Sequence, residues 1–156
     1  MIVFQPQKPR QTYFKKYLHS SEEPFFVSAE NRVGLIGYEA NIAIAICYEL
    51  SVPAHSENAH NMGAAIYIAS IVESFNDIEK AHRNLKGIAT KYSMQVLMAN
   101  CVGQSGNYDC AGRSAVWNSN GELLAQLNDR DEGILIFDTE KGSITNTQQP
   151  IKEVLF

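Results

Sequence analysis

Residues 41–50, Asn-Ile-Ala-Ile-Ala-Ile-Cys-Tyr-Glu-Leu, constrain the fold of this chain more than any other stretch. A short apolar run ends on Cys47, and a polar, acidic segment with Pro53 follows at once. The pattern predicts a buried strand that stops at a cysteine and turns into a loop or helix. A thiol in that position lies at the carboxyl end of a strand and near a helix N-terminus. Backbone N–H groups there lower a thiol pKa and can hold an oxyanion. The alternative is a small core cysteine, the commoner fate of a cysteine in an apolar run.

The 156 residues fit one domain with a real core. Composition, 45% hydrophobic and 19% charged, is that of a globular protein. A net charge of −4 gives no reason to expect nucleic acid or an anionic membrane as partner. Three cysteines without zinc or disulfide spacing suggest a reducing compartment. The first ten residues do not read as a signal peptide, and no apolar run approaches a membrane span. The expectation is a cytoplasmic enzyme or binding domain.

Met1 to Phe4 reads as a strand already under way, and Gln11 to Leu18 as a second strand. Lys15 and Lys16 then point to opposite faces, so one of them can turn inward. His19 to Pro24 is a polar loop that Phe25 and Phe26 anchor to something apolar. Arg32–Tyr38 and Asn41–Cys47 are predicted as a hairpin turning at Glu39-Ala40. Ser51 to Met62 can form a short surface helix. Gly63 to Ile71 reads as a strand covered on both faces. From Asn76 to Ser93, Ile78, Ala81, His82, Leu85, Ile88, Ala89 and Tyr92 recur at helical spacing, with Asn76 or Asp77 as cap. His82 reads as a core histidine. A strand at Gln95–Cys101 completes the β, polar segment, β, helix, β order of an α/β protein. Val102 to Arg113 reads as a long glycine-bearing loop of the kind that lines sites. Ser114–Trp117 and Glu122–Leu127 flank a hairpin turn at residues 118–121, and Gly133–Phe137 reads as a last buried strand. Residues 139–156 form a tail that packs on a partner subunit or on its own domain.

Several segments together resemble the nitrilase, or carbon–nitrogen hydrolase, superfamily. These are Tyr13-Phe-Lys-Lys-Tyr-Leu18, Glu22-Glu-Pro-Phe-Phe26 and Ile44-Ala-Ile-Cys-Tyr-Glu49. Gly63-Ala-Ala, Ala99-Asn100, Gly112-Arg-Ser114 and Asn120-Gly121 add to the match, which spans residues 1–138. The resemblance implies an α/β fold, an α-β-β-α sandwich present here only in part. It implies Cys47 as nucleophile and Lys15 as catalytic lysine, acting on a linear amide or nitrile without metal or organic cofactor. The backbone N–H of Tyr48 is expected to stabilise the oxyanion. Glu49 is expected to line the pocket or bond adjacent backbone, and Glu73 falls where the family builds its substrate pocket, a solvated loop being the alternative. Of Glu22 and Glu23, the latter is expected to orient the lysine or the substrate.

The family's general-base glutamate lies upstream of the lysine, yet residues 1–14 hold no Asp or Glu. The chain is therefore expected to be the C-terminal portion of such a domain, stabilised by a second copy or by a complementing N-terminal fragment. Two other readings stand beside this one. The first is a catalytically dead fragment that serves as a folded binding or oligomerisation module. The second is a cysteine–histidine hydrolase using His55, His60 or His82 as base. Cys101 and Cys110 have no basic neighbours in sequence and read as bystanders.

Overall fold

A computed structural model describes residues 1–29, 35–37 and 40–147. Two short strands, β1 (Ile2–Val3) and β2 (Gln11–Thr12), pair antiparallel. Strand β3 (Leu35–Gly37) and β4 (Asn41–Ile46) follow, then a 3₁₀ turn at Cys47–Ser51 and helix α1 (Pro53–Asn61). Next come β5 (Ile66–Ile71), α2 (Ile78–Tyr92) and β6 (Gln95–Asn100). The remaining elements are the hairpin β7 (Val102–Ser105) and β8 (Tyr108–Ala111), then β9 (Ala115–Trp117), β10 (Leu123–Gln126), β11 (Ile134–Phe137) and β12 (Ile144–Thr147).

The central sheet has the order β10-β9-β6-β5-β4-β3. Its middle three strands, β4, β5 and β6, are parallel, and the flanking strands run antiparallel. This is the α/β class read from the sequence. Each parallel connection passes through a helix, and the strands advance in one direction, so right-handed crossovers set α1 and α2 on the same face. The register makes that face. Ala43, Tyr67, Val96 and Trp117 stand in one row, and Ala45, Ala69, Met98 and Ala115 in the next. All eight are buried with Leu50, Ala59, Ile78, Leu85 and Ala89 in one core cluster. Helix α2 buries Ile78, Ala81, His82, Leu85, Ile88 and Ala89, the stripe read from periodicity.

The other face of the sheet is also apolar, but open in part. Ile44, Ile66 and Val116 are buried there, whereas Ile42, Ile46, Ile68 and Leu97 are only half-buried. The expectation that Gly63–Ile71 is covered on both faces is thus met fully only on the helix side.

Other expectations are corrected. Only Gln11 and Thr12 of Gln11–Leu18 form a strand, because the amides of Lys16 and Tyr17 turn to the Glu49 carboxylate instead of a ladder. Phe25 and Phe26 do not anchor the loop in the core among the described residues, being 80% and 65% exposed. The surface helix α1 does bury one side, His55, Ser56 and Ala59. Asp77 takes the N-cap position of α2, but its carboxylate accepts from the Ser74 hydroxyl rather than from a helix amide. Residues 102–113 are mostly the β7–β8 hairpin, not a loop. Strand β11 is neither last nor buried: it pairs with β12, and Ile134 and Ile136 lie open. Part of the Arg32–Tyr38 run, Glu39 of the expected turn, and the Val154-Leu-Phe156 end fall outside the described residues.

Candidate active site

The carboxyl ends of parallel strands are where open α/β sheets gather ligand-facing groups. Here Cys47 follows the end of β4, Glu73 follows the end of β5, and Asn100 ends β6, the neighbouring strand. Cys47 opens the 3₁₀ turn with a left-handed backbone, φ 48°. A non-glycine residue rarely adopts this conformation, and it persists only where the surroundings enforce it. The thiol is half-buried.

Lys15 comes from the segment after β2. Its side chain is only 12% exposed, and Nζ donates to both carboxylate oxygens of Glu22 at 2.6 and 2.8 Å. The acid beside the lysine is therefore Glu22, and Glu23 is turned away. Burial raises the Glu22 pKa, but the hydrogen bonds from Lys15 and the His19 amide, with the lysine charge, outweigh it and hold the carboxyl below its ordinary value. The His19 ring stands edge-on to the Tyr48 ring at 5.3 Å, which ties this loop to the residue after Cys47. Glu23 is exposed and lines an open cavity of about 540 Å³ with Lys16, Tyr17, Phe26 and Tyr48. A second cavity, about 260 Å³, lies at Asn100, Cys101, Arg113 and Asn128. Neither is lined by Cys47 or Lys15.

Glu49 is fully buried and opens onto neither of these cavities. Its Oε1 accepts the Lys16 amide at 2.7 Å, and its Oε2 accepts the Ile46 amide at 2.8 Å. Tyr13 Oη lies 2.8 and 2.9 Å from the two oxygens. Behind Tyr13, His55 Nε2 is 3.2 Å from the phenol oxygen, and His55 Nδ1 is 2.9 Å from Tyr67 Oη. One arrangement of protons satisfies the whole chain. Tyr67 donates to Nδ1, Nε2–H donates to Tyr13, and Tyr13 donates to Glu49. That arrangement requires neutral His55, and burial indeed pushes the His55 pKa down against the pull of Glu49. Burial raises the Tyr13 and Tyr67 phenols, with Glu49 adding to it, so both stay protonated.

Glu73 is half-buried beyond β5, and burial followed by the Asp77 charge raises its pKa. The Asn100 side chain clasps its backbone, accepting the Glu73 amide at 2.9 Å and donating to the Glu73 carbonyl at 3.1 Å. Each of the three histidines considered as a base is committed elsewhere. His55 sits in the buried chain just described, His60 stacks on Tyr92, and His82 meets the Arg113 carbonyl and the Trp117 edge. Cys110 is buried, and burial with the Cys101 thiol pushes its pKa up to about 11. Sequence reasoning did not single out Tyr13, His55 and Tyr67 as one buried chain, since the three lie on separate segments and none carries a local sign of its partner. No group of three or more acidic, histidine or cysteine side chains that could hold a metal ion occurs among the described residues.

The model of the carbon–nitrogen hydrolase family matches residues 1–149 of this sequence. The chain belongs to that family. A curated relative, the "Hydrolase in agr operon" of Staphylococcus aureus, is 30% identical over 106 residues, covering 68% of this chain and 40% of that protein. The carbon–nitrogen hydrolase of Helicobacter pylori G27 superposes with a TM-score of 0.76 at 18% identity, over 84% of this chain and 53% of that one. A nitrilase-superfamily amidase of Nesterenkonia AN1 superposes with a TM-score of 0.70 at 21% identity, over 76% and 46%. The fold is thus the nitrilase-superfamily fold, and the chain spans about half the length of these solved relatives or less of the curated one. No helix among the described residues is long and apolar enough to cross a membrane.

Proposed function

We propose that this chain carries the nucleophile half of an amidase-like site acting on a small linear amide or nitrile. The observation that carries the reading is the left-handed backbone of Cys47 at the end of β4, held in place by Glu49. In one structure of a mutant Nesterenkonia amidase, the acetamide moiety of fluoroacetamide is covalently added at the active site cysteine. That chemistry of a neighbour supports the same role for Cys47 here.

In the proposed reaction the Cys47 thiolate attacks the carbonyl carbon, forming a tetrahedral intermediate. Lys15 and the Tyr48 backbone N–H stabilise the charge that develops on oxygen. The C–N bond breaks as the carbonyl re-forms, the amine leaves with a proton given by the Lys15 ammonium, which the proton released from the Cys47 thiol restores, and a thioester remains. Its hydrolysis needs a carboxylate to take a proton from water. Glu22 is engaged by Lys15 and Glu49 is buried under four donors, so neither is free for that step. Tested as these 156 residues, the chain is accordingly proposed to acylate faster than it deacylates. The half-open sheet face and the exposed Phe4, Phe25, Phe26 and Val27 fit a surface that a second copy or a complementing segment covers. The cytoplasm is the proposed location.

The test is ammonia release from a panel of small linear amides. The expected result is about one equivalent per chain in a first burst, followed by slow turnover, with none from Cys47→Ala. Equal release from Cys47→Ala overturns the assignment. Complete absence of release from every amide favours the second reading, a folded module without turnover. That reading draws its own support from the apolar exposure.

A further inference from the structure

We propose that Glu49 is a positioning residue that sets the lysine against the cysteine, an inference that rests on the hydrolase reading above. Glu49 touches no reacting atom, yet its carboxylate bonds to both segments that carry them. Oε2 accepts the amide of Ile46, the residue before Cys47, at 2.8 Å. Oε1 accepts the amide of Lys16, the residue after Lys15, at 2.7 Å, and is 3.3 Å from the Tyr17 amide. Tyr13, two residues before Lys15, donates its hydroxyl to the same carboxylate. The lysine segment is not part of the central sheet and has no ladder to fix it. It is instead held on both sides of Lys15, through the Tyr13 hydroxyl before it and the Lys16 and Tyr17 amides after it, by one buried acid whose own backbone belongs to the Cys47 turn.

The chemistry of the clamp is specific to a carboxylate. An ionised acid accepts at both ends, so it can serve the Ile46 side and the Lys16 side together. A glutamine of the same shape accepts at one end only. Its NH₂ group must then face an amide N–H, and one of the two segments loses its hold. Shape is retained while the connection is cut, which makes Glu49→Gln the informative substitution.

The experiment measures alkylation of each cysteine by iodoacetamide in four proteins: the unaltered chain, Lys15→Met, Glu49→Gln and the double variant. Cys110 is buried, so its protection reports that the fold survives. In the unaltered background Lys15→Met is expected to slow alkylation of Cys47 about tenfold, through loss of the cation proposed to act with the thiolate. In the Glu49→Gln background the same change is expected to slow Cys47 less than about twofold, because the lysine segment is no longer fixed to the Cys47 turn. A merely structural role for Glu49 leaves the two effects equal, and that result overturns the proposal. If Lys15→Met has no effect in the unaltered background, the lysine–cysteine reading fails and this inference fails with it. Should Glu49→Gln expose Cys110, Tyr13→Phe replaces it, since it removes one bond of the clamp and leaves the acid. Partial loss of the Lys15 effect is then expected, and full retention of it is the contrary result.

Discussion

His55 shows how a single side chain can fix a pH dependence. It is fully buried between two phenols, and the chain from Tyr67 through His55 and Tyr13 to Glu49 works only with the ring neutral. Burial holds its pKa below the ordinary histidine value, with Glu49 pulling upward and Lys16 again downward. The unfolded chain therefore takes up a proton near pH 6.5 while the folded chain resists it. Stability from this group is complete above about pH 6.5 and is lost as pH falls from there toward the depressed folded value. Melting curves at neutral and mildly acidic pH are expected to show a lower midpoint on the acid side, and His55→Gln is expected to flatten that slope. His82, also depressed by burial and by Arg113, leaves a residual slope of the same sign. A slope unchanged in His55→Gln contradicts the neutral-ring account. At this scale the sequence was legible only in part. The motifs carrying Cys47 and Lys15 stand out in it. Glu22 and Glu23 are adjacent and alike in sequence, and only the turn at residues 19–23 decides that Glu22 faces the lysine. Of the two roles expected for Glu49, bonding adjacent backbone holds at the Ile46 amide, whereas its other donors, Tyr13, Lys16 and Tyr17, lie on the distant lysine segment and leave no local sign in the sequence.

Elements were legible where periodicity was strong and local. Helix α2 and strands β4, β5 and β6 carry their own patterns, 3.6-residue or continuous apolar, and need no distant partner to be recognised. The misread elements owe their form to distant bonds. Residues 13–17 look like a strand by composition but spend their amides on Glu49. The β7–β8 hairpin hides behind glycines that suggest a loop. One glycine there is required by space as well as by backbone angle. Gly112 has φ 57°, and a Cβ on it meets Val102 Cγ1 at 2.6 Å and the Asn128 carbonyl at 2.9 Å. Its amide also bonds the Cys101 carbonyl and its carbonyl accepts from Asn100, so the turn cannot move freely. Gly112→Ala is expected to destabilise by about 2 kcal/mol or more. Gly87, exposed in α2 with open space around its Cα, is the contrast. Gly87→Ala is expected to stabilise by about 0.5–1 kcal/mol. Thermal melts of the two variants check both signs, and a neutral Gly112→Ala contradicts the close approach described.

The whole molecule has one sealed face and one half-open face. Helices α1 and α2 close the first over the Ala43, Tyr67, Val96 and Trp117 rows. The second keeps Ile42, Ile46, Ile68 and Leu97 half-buried, while Phe4, Phe25, Phe26 and Val27 stand in solvent nearby in sequence to the lysine segment. Apolar exposure of this kind favours association. Sedimentation of the chain is expected to show a concentration-dependent shift from monomer to larger species, and a compact monomer at all concentrations contradicts that expectation. The central claim is narrower, that Cys47 is the nucleophile of an acyl transfer. Its most direct measurement is peptide mapping by mass spectrometry of the chain quenched during incubation with small linear amides. The account predicts an acyl group on Cys47 alone, absent from Cys101 and from buried Cys110 and lost in Lys15→Met. Acylation spread equally over the three cysteines, or its persistence at the same rate without Lys15, would contradict it.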